Sequence, residues 1–112
     1  MPKAYWIAHL DVHDADTYAA YANANPDIFK KFGGRFLVRG GRHEVAEGKT
    51  ASRHVIIEFP DYATALACFR SPEYQANMQI RLKSARTDGL IIIEGYDGPQ
   101  PESSIEGVPP PA

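Results

Sequence analysis

Cysteine is almost absent from this chain, and the absence removes whole classes of chemistry. Cys68 stands alone, so neither an internal disulfide nor a thiolate-cluster metal site can form, and a reducing cytoplasm is the expected compartment. It lies in the apolar helical stretch Ala65-Leu66-Ala67-Cys68-Phe69, where a thiol remote from cations is packing rather than nucleophile. Long apolar runs are missing too. None approaches the ~20 residues that span a bilayer, and the opening Met1-Pro2-Lys3-Ala4-Tyr5-Trp6 lacks the basic-then-apolar layout of a signal peptide. Positive charge is not in excess: the net charge is -2, which argues against electrostatic capture of nucleic acid or an acidic membrane. The four histidines, at 9, 13, 43 and 54, show no i, i+4 pair and no carboxylate at familiar ligand spacing, so no metal is expected.

What is present reads as one α+β domain. A chain of 112 residues with a 44% hydrophobic fraction has enough surface to bury for a real core. Residues 3–12 (KAYWIAHLDV) form a first strand, rich in aromatic and branched side chains. Asp14 caps a helix whose Tyr18, Tyr21, Ala22, Ile28, Phe29 and Phe32 recur at helical spacing. Asn25-Pro26 interrupts that helix, giving a kink or two abutting helices, and Gly33 ends it. A second strand runs from Arg35 to Val38 or Arg39, and Gly40-Gly41 makes a bulge before a short extended piece at 42–46. Glu47-Gly48 is a turn, and RHVIIEF at 53–59 is the third strand. Pro60-Asp61 starts a helix burying Ala65, Leu66 and Phe69. Ser71-Pro72-Glu73 restarts helix at a new angle to about Arg86, burying Tyr74, Met78 and Leu82. Asp88-Gly89 turns into the last strand, residues 90–96. The domain is expected over residues 1–97. Residues 98–112 hold five prolines and little to bury, so they are expected to be a disordered tail or an extended arm on a partner subunit.

Strand, helix, strand, strand, helix, strand is the ferredoxin-like βαββαβ order, a four-stranded antiparallel sheet with its helices on one face. Alternation divides each strand into two sets. Trp6, Ala8, Leu10, Phe36, Val38, Val55, Ile57, Phe59, Ile91 and Ile93 are assigned to the helices. Tyr5, Ile7, His9, Asp11, Arg35, Leu37, Arg39, His54, Ile56, Glu58, Leu90, Ile92, Glu94 and Tyr96 are left to the uncovered face. A surface that is half apolar with a few polar groups has the makeup of a sheet-on-sheet dimer interface enclosing a pocket.

Several blocks also carry a family resemblance: Tyr5-Trp6-Ile7-Ala8, Tyr18 and Tyr21, Gly33-Gly34-Arg35-Phe36-Leu37-Val38-Arg39-Gly40-Gly41, Glu58-Phe59-Pro60, Ser71-Pro72-Glu73-Tyr74 and Glu94-Gly95. In these the chain resembles the family labelled domain of unknown function 1330, of the dimeric α+β barrel superfamily. The resemblance spans about residues 3–98, with the tail outside it and Pro26 standing where an alanine-like residue is expected. It implies a homodimer joined through the open sheet faces and no particular reaction.

The arginines of the glycine-bounded block carry the functional reading, since an inward-facing Arg must find an anion. Arg39 and Glu58 are expected on one face of adjacent strands. They read either as a structural ion pair or as a clamp in which Arg39 holds a ligand carboxylate or enolate and Glu58 moves a proton. His9 is the second candidate acid–base group. Tyr5, His54, Tyr74 and Glu94 complete the candidate ligand contacts, while His13 and His43 read as surface residues. The expected function is a polar small-molecule pocket between two sheets, taking a small organic anion. The alternative is a cofactor-free monooxygenase- or isomerase-like enzyme acting on a carbonyl or aromatic substrate. No cofactor, nucleic acid or membrane partner is expected: RHVIIEF lacks the basic-glycine-aromatic pattern that stacks RNA bases.

Overall fold

Each helix of the computed structural model, which describes residues 2–101, begins at a capping side chain that the sequence supplies. Asp14 accepts the Thr17 amide at 3.1 Å and opens α1, Ala15–Lys30. Asp61 accepts the Thr64 amide at 2.7 Å and opens α2, Tyr62–Arg70. Ser71 accepts the Tyr74 amide at 3.2 Å and opens α3, Pro72–Ser84, with Pro72 in its first turn. Gly33 follows α1 at φ +71°, the left-handed conformation that releases the chain from a helix. Helix α1 is a single helix that contains Pro26.

The four strands are β1 (Ala4–Val12), β2 (Arg35–Arg39), β3 (Arg53–Phe59) and β4 (Ala85–Glu94). They form one antiparallel sheet in the order β2-β3-β1-β4. This is the ferredoxin-like arrangement the element order implies, with a second helix split in two at Ser71-Pro72. The stretch 42–46 forms no strand. The expected disordered or partner-bound tail falls largely outside the described residues. Among those described, no helix is long and apolar enough to cross a membrane.

Trp6 centres the core. It is 1% exposed, with Tyr74 at 4.8 Å, Phe29 at 5.1 Å, Phe59 at 5.3 Å and Phe69 at 5.7 Å between ring centroids. Its indole N–H donates to the Ala65 carbonyl of α2 at 2.9 Å. Rings from a strand and all three helices therefore meet at one indole, and truncating such a residue to alanine costs about 3–5 kcal/mol.

Two bulges change which side chains share a face. In β2 the pairing shifts between Phe36 and Val38, so Val38 stands opposite Ile56 and Arg39 opposite Val55. Val38 thereby joins the open face and Arg39 the helix face, the reverse of the alternation read from sequence. In β4 the shift falls between His9 and Leu10 of its partner. Gly89 faces His9 and Thr87 faces Leu10, which makes Asp88 the extra residue of a bulge rather than a turn. Strand β4 accordingly starts at Ala85, before the expected Leu90. Leu90 and Ile92 pack on the core, whereas Ile91 and Ile93 are about half exposed. That assignment is also corrected, since both alternating sets in Leu90-Ile91-Ile92-Ile93 are apolar.

Helix α3 differs in its buried stripe. Tyr74, Asn77, Arg81 and Ser84 are buried, while Leu82 is 53% exposed.

Candidate functional site

Cross-strand register sorts the sheet into rows. On the open face, Val38-Ile56-Ile7-Ile91 runs across all four strands, flanked by Arg35-Glu58-Tyr5-Ile93 and by His54-His9-Gly89. On the helix face the rows are Phe36-Ile57-Trp6-Ile92 and Arg39-Val55-Ala8-Leu90. Arg39 and Glu58 are thus on opposite sides of the sheet, and the expected pair between them does not form. Glu58 instead meets Lys3 Nζ at 3.1 Å and Arg35 Nε at 3.8 Å. Glu94 stands opposite Ala4, on the helix-side parity at the strand end, and is likewise off the open face. Tyr5 is on the open face beside Glu58.

His9 and His54 meet there too, Nδ1 to Nδ1 at 2.7 Å. His43, expected to stand apart, lies with its ring 4.6 Å from that of His54. Burial, with His43 and His9 adding like charge, lowers the pKa of His54 from its ordinary 6.5.

The helix face holds a second polar group, and the sequence reading overlooked most of it. A cavity of about 20 Å³ between α1, α3 and the sheet is walled by Trp6, Leu10, Tyr21, Phe36 and Val55, with three arginines around it: Arg39, Arg53 and Arg81. Arg81 is 4% exposed, and its Nε has no hydrogen-bond partner. Its Nη1 donates to Thr87 Oγ1 at 2.5 Å, and its guanidinium lies 5.9 Å from the Tyr21 ring centroid. Burial works against the Arg81 charge, but Tyr74 and Tyr21 offset it and hold the pKa above the usual arginine value. Arg53 Nε donates to Tyr18 Oη at 3.3 Å. Arg39 stacks 4.3 Å from the Phe36 ring centroid, and its Nη2 donates to the Ala22 carbonyl at 2.8 Å. None of the three joins a carboxylate among the described residues.

Tyr74 is fully buried behind Tyr21, their hydroxyls 2.6 Å apart. Burial is the main reason the pKa of each phenol is raised, so both stay protonated at neutral pH. Cys68 is buried, its thiol pushed up to about 12 chiefly by that burial, and is inert as expected.

Arg81 left one signal in the sequence. Tyr74, Asn77, Arg81 and Ser84 repeat at intervals of three, four and three, the spacing of one helical face. A charged residue on the stripe that begins at a core tyrosine marks a buried charge.

No protein of curated function matches the chain. Solved structures do. A protein of unknown function from Rhodopseudomonas palustris superposes with a TM-score of 0.68 at 19% identity, over 87% of this chain and 85% of that one. SnoaB, a cofactor-independent oxygenase from Streptomyces nogalater, superposes with a TM-score of 0.59 at 12% identity, over 88% and 97%. At such identities the likeness is one of fold. The family model described as domain of unknown function (DUF1330) matches residues 3–96, and the chain belongs to that family.

Proposed function

We propose that the protein is a homodimer, joined through its open sheet faces, in which each subunit binds a small organic anion between α1 and the sheet. The observation that carries the anion reading is Arg81, a buried guanidinium with an unpartnered Nε beside two further arginines, none of them paired with a carboxylate among the described residues. A buried guanidinium N–H left without an acceptor is costly, and a carboxylate or enolate oxygen is the group that satisfies a guanidinium best. On this reading the ligand lies under the helices rather than between the two sheets. The dimer reading rests on the apolar row Val38-Ile56-Ile7-Ile91, an uncovered strip that water alone does not stabilise. The single buried thiol suits a cytoplasmic setting.

Turnover without a cofactor is the second reading. The Tyr21–Tyr74 hydroxyl pair favours it, because Tyr21 lines the cavity and can donate a proton to a bound enolate. The fold shared with a cofactor-independent oxygenase is compatible with this.

Thermal unfolding in the presence of carboxylates tests the anion reading. At a hundredfold excess over Kd, binding stabilises the native state by about 2.7 kcal/mol. The wild-type melting temperature rises with benzoate or acetate, and Arg81→Met at equal ionic strength folds but shows no such rise. Equal responses in both proteins would remove Arg81 from the site.

A further inference from the structure

The free volume beside Arg81 is too small for any organic molecule. About 20 Å³ admits one water-sized atom, whereas small-molecule sites commonly span about 300–1,000 Å³. A groove of about 380 Å³ adjoins it, lined by Val12, Ala15, Tyr18, Ala19, Ala22, Ser52 and Arg53. Tyr18, Ala22 and Arg53 border both spaces. Ala15, Ala19 and Ala22 lie four and three positions apart on α1, so they share one helix face and wall the groove with nothing larger than a methyl group. The partition between groove and cavity is weak. Its polar contact is the Arg53 Nε to Tyr18 Oη bond at 3.3 Å, longer than the usual N–H···O distance, with the guanidinium 5.4 Å from the Tyr18 ring centroid.

Resting on the anion reading above, we propose that the ligand is a monoanion with a flat apolar body, one oxygen of its carboxylate or enolate entering the cavity at Arg81 and its body lying in the alanine-walled groove. The Tyr18–Arg53 contact parts around the ligand where head and body join. Charge complementarity fixes the orientation. Three guanidinium groups border the cavity, whereas the groove has Arg53 alone, at the end nearest the cavity. A second negative charge at the far end of the ligand would find no cation there. Aromatic and alicyclic monocarboxylates, and enolates of that size, are the class that fits.

Calorimetric titration with benzoate and with acetate separates head from body. Wild type binds benzoate at least about tenfold tighter than acetate, since the ring buries apolar area in the groove. Ala19→Met, a substitution at an exposed helical position, fills the groove and removes that preference, weakening benzoate far more than acetate, which reaches only the junction of groove and cavity. Ala20→Met, on the neighbouring exposed face, leaves both affinities at wild-type values. Equal binding of the two anions by wild type, or an equal loss of both in Ala19→Met, overturns the two-compartment proposal and leaves the anion site standing. Failure of wild type to bind either anion overturns the anion site itself.

Discussion

Pro26 shows how a single residue shapes the site. A proline has no amide hydrogen, so the carbonyl four residues back, that of Ala22, loses its helical partner. In this protein that carbonyl accepts Arg39 Nη2 instead. The departure from an alanine-like residue, conspicuous in the sequence, therefore frees the acceptor that anchors one of the three arginines around the cavity. Proline inside a helix is about 3 kcal/mol less favourable than alanine, and the adjustments already made around it recover part of that. Pro26→Ala is expected to raise stability by about 1 kcal/mol, read from urea denaturation, while weakening carboxylate binding because the restored amide competes with Arg39 for Ala22. A variant both more stable and equally tight-binding would show that the Arg39 contact is incidental. Arg39 was recognisable from sequence as an arginine in need of an anion. Arg81 was harder to see: only the Tyr74, Asn77, Arg81, Ser84 spacing marks it, and its burial depends on α1 and the sheet closing over it.

Elements were read well where periodicity was unambiguous and poorly where bulges intervene. The caps at Asp14, Asp61 and Ser71 and the exit at Gly33 follow from local chemistry and appear as expected. The facing of β2 does not, since one extra residue at Leu37 reverses everything beyond it, nor does that of β4, where both alternating sets of Leu90-Ile91-Ile92-Ile93 are apolar. Glycines at 40 and 41 hinted at an irregularity, but the bulge falls three residues earlier. The pairing of β1 with β3 carries the histidine contact, and its pH dependence can be signed. Unfolded imidazole titrates near 6.5, above the lowered value of His54 in the native state. As the pH falls below 6.5 the unfolded chain takes up the proton first, so stability present above that pH is lost until the lower native pKa is passed. Denaturation midpoints are expected to decline between pH 7.5 and 5, and His54→Gln to flatten that decline. An unchanged slope in His54→Gln would assign the decline to other groups.

At the scale of the molecule, a sheet covered by helices on one side leaves two kinds of surface with separate work. The open face offers the apolar strip Val38-Ile56-Ile7-Ile91 with the Glu58 cluster and the histidines beside it. The helix side holds the arginines. If the strip joins two copies, wild type sediments at twice the chain mass and Ile91→Glu, which sets like charges against each other across a twofold axis, sediments as a monomer with its fold intact. Wild type sedimenting as a monomer at micromolar concentration would leave the strip without its proposed partner. The anion site does not depend on that outcome, because all its residues come from one chain. Its most direct test is anomalous diffraction from crystals grown in bromide, an anion small enough to seek the charge without the groove. The account predicts a bromide peak between α1 and the sheet, within hydrogen-bonding distance of Arg81 Nε; density for water alone at that position, with bromide confined to the protein surface, would contradict it.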